Sequence, residues 1–138
     1  MIYDSPEETI TMFFKYFILF VLAVYVTAAP NFETKFDDEN KSHDLIVGYR
    51  VPGDWLLEKD DVLREKQFLQ VVTLTKTFTG NGKSVITQIK ALDQKTNGNG
   101  AYATVISGGV DQSYVTIKFK SQRNHGIRFK VEIYGQNQ

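Results

Sequence analysis

Two stretches near the C-terminal end of the chain alternate with period two. Val115, Ile117 and Phe119 stand against Thr116, Lys118 and Lys120, and Ile127, Phe129, Val131 and Ile133 stand against Arg128, Lys130, Glu132 and Tyr134. A helix repeats every 3.6 residues and would scatter these apolar side chains around its surface, whereas an extended strand sends them all to one face. Such strands bury one side and leave the other wet, so they need a second layer against which to pack. Ser84–Asp93 reads in the same way, with Val85, Thr87, Ile89 and Ala91 on one face and Gln88 and Lys90 on the other. Asp44–Val51, Phe68–Thr79 and Ala101–Ser107 are read as further strands. Turn signals separate them: Pro52-Gly53-Asp54, Gly80-Asn81-Gly82, Asn97-Gly98-Asn99-Gly100, Gly108-Gly109 and the segment Ser121–Gly126. Trp55–Gln67 is the exception. Leu56, Leu57, Val62 and Leu63 can share a helical face with Asp54 as the cap, which predicts a short helix or turn. The expected fold is all-β, an antiparallel two-sheet sandwich or flattened barrel of about six to eight short strands.

The N-terminal region obeys a different rule. From Met12 the chain reads MFFKYFILFVLAVYVTAA, with a positive residue at Lys15, an apolar run from Tyr16 to Val26 and small residues after it. This is the pattern of a secretory signal peptide. Residues 1–11 carry Asp4, Glu7 and Glu8, which do not suit a positive leader, so Met12 is the expected start. Cleavage after Ala28 is expected, with Val26 and Ala28 at the recognition positions. The uncharged run covers 14 residues, 16 to 29, and a membrane span needs about 20. The expected division is a signal peptide at 1–28, a flexible polar tail at 29–43 and one all-β domain at 44–138. The mature chain is expected to be secreted, with no membrane span. Asn40-Lys41-Ser42 is an N-glycosylation sequon in that polar tail.

Composition removes several kinds of chemistry. The chain has no cysteine, which excludes disulfides, thiol nucleophiles and thiolate metal sites. With only His43 and His125 as near-neutral bases, no nucleophile–base arrangement stands out. Ser107, His125 and Asp93 could be written as a triad, but Ser107 has no nucleophile-elbow motif around it. The acidic runs Asp37-Asp38-Glu39 and Asp60-Asp61 lack calcium-loop spacing. No cofactor, no metal site and no catalytic residue is expected, and the chain reads as a non-enzyme.

Charge is balanced overall but uneven along the chain. Residues 30–82 hold 7 Lys/Arg and 10 Asp/Glu, and residues 83–138 hold 8 and 3. That surplus is too sparse for direct nucleic-acid binding. It is concentrated in the last two alternating segments. If these form a hairpin, Lys118, Lys120, Arg128 and Lys130 share one outer face with Arg123 at the tip, and Glu132 stands opposite Lys118. Such a strip would suit an anionic partner: a protein, a glycan or an anionic surface. Trp55, directly after a turn, is expected to be partly buried against the core.

An ordered set of short motifs runs through the chain: Gly48-Tyr-Arg-Val-Pro-Gly-Asp54, Ile86-Thr-Gln-Ile-Lys-Ala-Leu-Asp-Gln94, Gly98-x-Gly100-Ala-Tyr102, Ser107-Gly-Gly109, Val115-Thr-Ile-Lys-Phe-Lys-Ser-Gln-Arg123, His125-Gly126 and Phe129-x-Val-Glu-Ile-Tyr-Gly135. Over residues 45–135 this set resembles the arthropod multiprotein bridging factor 2 family, many of whose members look like salivary or venom secreted peptides. The resemblance implies a secreted binding protein of an extracellular fluid. Its alternative implication is the role behind the family name, a transcriptional coactivator that bridges a DNA-bound factor and a general transcription factor. It implies no catalytic residues.

Overall fold

The computed structural model describes Ile10, Thr11, residues 13–16 and residues 40–138. Two compact units divide the chain, Met1–Asp37 and Asp38–Gln138. In the first, Ile10, Thr11 and residues 13–16 are helical, and no described helix is long and apolar enough to cross a membrane. The expected start at Met12, the cleavage at Ala28 and the tail before Asn40 lie outside the described residues.

Among the described residues of the second unit there are seven strands: β1 (Leu45–Gly48), β2 (Trp55–Arg64), β3 (Thr73–Phe78), β4 (Val85–Asp93), β5 (Tyr102–Gly108), β6 (Val115–Lys120) and β7 (Ile127–Gln136). They form two antiparallel sheets, one of order β1-β4-β7-β2 and one of order β3-β6-β5. The alternation in β6 and β7 sets the core. Val115, Ile117 and Phe119 from one sheet, and Ile127, Phe129, Val131 and Ile133 from the other, are buried with Phe78, Ile86, Ile89 and Ala91. Phe119 meets Phe129 across the gap, with ring centroids 5.1 Å apart and planes at 53°, a tilted pairing that favours edge-to-face contact.

That contact corrects the expected final hairpin. β6 and β7 do not pair; each is an inner strand of its own sheet, and they face each other. The connector 121–126 is compatible with either arrangement, since six residues can span about 20 Å and packed sheets lie about 10 Å apart. Facing strands bury both apolar stripes against one another. Hydrogen bonds hold the crossing: Ser121 N–H donates to Val72 O at 2.9 Å, Val72 N–H to Ser121 Oγ at 2.8 Å, and Asn124 N–H to Gln70 O at 2.9 Å.

Trp55–Arg64 is a strand, not the expected helix or turn. In its register with β7, Glu58, Asp60, Val62 and Arg64 lie opposite the inward residues Ile133, Val131, Phe129 and Ile127. Glu58 and Asp60, both half-buried, take two of these positions and the exposed Arg64 ends the row, which hides the alternation. Inward charges on an edge strand also discourage pairing with another chain. Asp54 closes the preceding turn rather than capping a helix. Its carboxylate accepts Val51 N–H at 2.9 Å, and Asp54 N–H donates to Val51 O at 3.2 Å around Gly53, whose φ is +85°. Trp55 stands at the start of the strand, opposite Gly135, 41% exposed and so partly covered, outside the buried core.

Two further boundaries move. The strand expected from Phe68 begins at Thr73, and residues 65–72 form the crossover between sheets. In β4 a bulge between Ile86 and Gln88 changes the face assignment, so that Ile86, Ile89 and Ala91 are buried while Val85 and Thr87 are not.

Candidate functional site

The cations expected to form one strip lie on opposite outer faces of the two sheets. On the three-stranded sheet, Lys118 stands between Thr75 of β3 and Thr104 of β5, and Lys120 between Thr73 and Tyr102. Thr116 completes the column beside Thr77 and Ser107. A 2.8 Å hydrogen bond joins the hydroxyls of Thr77 and Thr116, and another at 3.0 Å joins Ser107 and Tyr114. No Asp or Glu occurs in β3, β5 or β6. The two lysines therefore lie on a hydroxyl-rich face with no carboxylate in its strands. The face exists because β-branched threonine suits the wet side of a strand while its neighbours fill the core.

Arg128 and Lys130 belong to the four-stranded sheet, where the charges are mixed. Lys130 is flanked by Leu92 and Asp61, Arg128 lies opposite Leu63, and Glu132 stands between Lys90 and Lys59. Glu132 is thus nowhere opposite Lys118. It accepts a hydrogen bond from Tyr134 Oη at 2.8 Å, which pushes the tyrosine pKa up, with burial adding in the same direction. Arg50 stacks over the Tyr134 ring at 4.0 Å and donates to Asp54 Oδ1 at 2.7 Å. Burial by itself would raise the Asp54 pKa, but the hydrogen bonds from Val51, Arg50 and Thr87 and the nearby guanidinium charge hold it below the ordinary value. Arg123 lies in the β6–β7 connector, with its Nη1–H donating to Leu69 O at 3.0 Å.

Ser107, His125 and Asp93 are not brought together as a triad. Ser107 is near the far end of β5 from Tyr102, about 16 Å along the strand. His125 lies in a turn, its N–H on Gln122 O at 3.1 Å. Asp93 instead meets His43. Its carboxylate has a 0 % exposed side chain and accepts His43 N–H at 3.0 Å and Lys95 N–H at 3.0 Å. His43 Nδ1 is 3.8 Å from Asp93 Oδ2 and 3.2 Å from Gly100 O, and its ring stacks on Tyr102 at 4.2 Å. A Cβ on Gly100 would come within 1.9 Å of Asp93 Oδ2, so only glycine leaves room for the carboxylate.

This latch also corrects the extent of the polar tail. Lys41 N–H donates to Thr96 O at 2.9 Å, and Asp44 Oδ1 accepts Asp93 N–H at 2.8 Å, so residues 41–44 are pinned to the end of β4. Sequence reasoning missed the His43–Asp93 pair. Its one legible signal is a carboxylate at an inward position of β4, after Ile89 and Ala91. Asn40 is exposed, and its Oδ1 accepts Ser42 N–H at 3.0 Å, which curls the sequon into an Asx turn.

The described unit is an antiparallel all-β protein with a cationic, hydroxyl-rich sheet face. Residues 47–135 match the family model described as "Transcription activator MBF2", and the chain belongs to that family. It is 43% identical over 132 residues to a "Probable salivary secreted peptide" of Bombus ignitus, covering 96% of this chain and 98% of that relative. No solved structure matches it.

Proposed function

We propose that the chain is a secreted, non-enzymatic binding protein of an extracellular fluid of the saliva or venom type. The observation that carries this reading is its 43% identity, over nearly its whole length, to a relative named as a salivary secreted peptide. The leader pattern from Met12 to Ala28 and the cysteine-free, packed β-domain support it. The binding surface in this reading is the outer face of the β3-β6-β5 sheet. Its threonine hydroxyls suit the hydroxyls of a glycan, and Lys118 and Lys120 suit attached sulfate or carboxylate groups. Asn40 carries an N-glycan, and its exposed Asx turn leaves it reachable by the transferase.

The test is expression of the full reading frame in insect cells, with intact masses measured in medium and lysate. A species beginning after Ala28 in the medium is the expected product, with extra mass that a glycosidase removes. An uncleaved chain held in the lysate would overturn the secreted reading. The family description favours one second reading, a coactivator working by protein–protein contacts inside the nucleus. Retention of the uncleaved chain is the outcome that reading requires.

A further inference from the structure

The β2–β3 crossover presents apolar side chains to water in a way that packing does not require. Phe68 is 80% exposed and Leu69 is 55% exposed. Leu69 has φ +55°, a left-handed conformation that glycine or asparagine adopts readily and a bulky side chain adopts only at a cost. The backbone there is held by several bonds. Gln70 N–H donates to Gln67 O at 3.1 Å, and Leu69 N–H donates to Asn124 Oδ1 at 3.3 Å. Arg123 Nη1–H donates to Leu69 O at 3.0 Å, and Asn124 N–H to Gln70 O at 2.9 Å. A second loop therefore fixes the tip in a strained conformation that turns two apolar side chains outward. Backbone strain that the surroundings enforce is a pointer to function.

Cations surround the stem of this loop. Arg64, Lys66, Lys95 and Arg128 line one groove together with Leu63 and Glu65. Arg123 adds a fifth cation at the tip itself; Glu65 is the carboxylate in that groove, and Asp61 lies in the adjoining one with Arg128 and Lys130. We propose that this end of the domain docks on an anionic lipid surface. Phe68 and Leu69 enter the interfacial region while Arg64, Lys66, Lys95, Arg123 and Arg128 meet the headgroups. Membrane binding by such a surface sums buried apolar area and attraction to anionic lipid. Two protruding apolar side chains need no shaped socket in a bilayer. A stable protein partner would instead need about 1,000 Å² of complementary surface, more than the exposed apolar side chains at this end, Leu63, Phe68, Leu69 and Val71, supply. The sheet face that carries Lys118 and Lys120 meets this loop at the Thr73–Lys120 pair, but the proposal does not depend on that face binding anything.

The test is co-sedimentation of the protein purified from insect-cell medium, without the apolar leader, with vesicles of phosphatidylcholine alone or with one-third phosphatidylserine. Binding only to the phosphatidylserine vesicles, weakening as salt is raised, is expected. Phe68→Ser with Leu69→Asn should lose at least about tenfold in affinity, because the apolar contribution is gone. Each of Arg64→Ala and Lys66→Ala should lose about fivefold. The Leu69→Asn change relieves the strained φ, so an unlowered thermal midpoint will show that lost binding is not lost folding. Equal sedimentation with both vesicle types, or unchanged binding by the Phe68/Leu69 variant, would overturn the proposal. So would retention on polyglutamate without vesicle binding, which would assign the end to an acidic protein. A Phe68-dependent dimer without vesicle binding would assign it to a second copy and equally overturn it.

Discussion

Asp60 of β2 and Lys76 of β3 point into the domain from edge strands of different sheets and form an ion pair that joins them. Beside them, Glu58 Oε2 accepts Thr79 N–H at 3.1 Å and Gly80 N–H at 2.9 Å. The sheets are thus sealed on this side by charge, where an apolar seam would have left two sticky edges.

The pair contributes little to stability and more to solubility. With side-chain exposures of 43% for Lys76 and 27% for Asp60, its worth is about 0.5 kcal/mol after solvent screening. Replacing both with valine should leave the urea midpoint nearly unchanged or higher, and should produce self-association by light scattering. A monodisperse valine variant would remove the edge-protection role.

Gly100→Ala should be among the most damaging single-methyl changes in the domain. The added Cβ meets the buried Asp93 carboxylate, which is itself held by His43 and Lys95 N–H groups and cannot step aside freely. Overpacking of this kind costs about 1–3 kcal/mol, readable from urea unfolding. The 41–44 segment should then exchange its amide hydrogens faster than in the parent chain.

Acid should loosen the β1–β2 turn through Asp54. Its carboxyl is held below its ordinary 3.8, so the folded state favours the charged form. That stabilisation is complete well above 3.8 and is lost as pH falls through the lowered folded value. Asp54→Asn should be less stable than the parent at pH 7. The difference should shrink as pH falls below 3.8. Equal differences at pH 7 and pH 2 would show that the charge plays no part.

Heparin retention should separate the two basic surfaces of the sheets. Lys118→Ala with Lys120→Ala removes both cations from a face without carboxylates, and should shorten elution markedly. Arg128→Ala with Lys130→Ala acts on a face already holding Asp61 and Glu132, and should shorten it less. The reverse order would place heparin on the four-stranded sheet or on the basic groove that shares Arg128 with it.

The inner strands were legible because their chemistry is local. In β6 and β7 each inward position is apolar and each outward one is polar or aromatic, and the structure places them within a residue or two of the expected bounds. β2 was not legible, because Glu58 and Asp60 occupy core-side positions of an edge strand and a pattern of apolar residues cannot register them. The His43–Asp93 latch was equally hidden, since its partners lie 50 residues apart and meet only when β1 pairs with β4.

The sequence by itself determined that this is an all-β chain with one apolar face per inner strand, closed by glycine-rich turns and needing no disulfide. It also determined membership of the family, through motifs spread from Gly48 to Gly135. Only the tertiary structure decided that β6 and β7 face one another across the core, and so which cations share a surface. Alternation specifies that a strand has a buried side, but a six-residue connector permits either pairing or crossing. The choice belongs to the long-range packing of Phe119 on Phe129 and to the bonds that anchor residues 121–126, none of which is local in the chain.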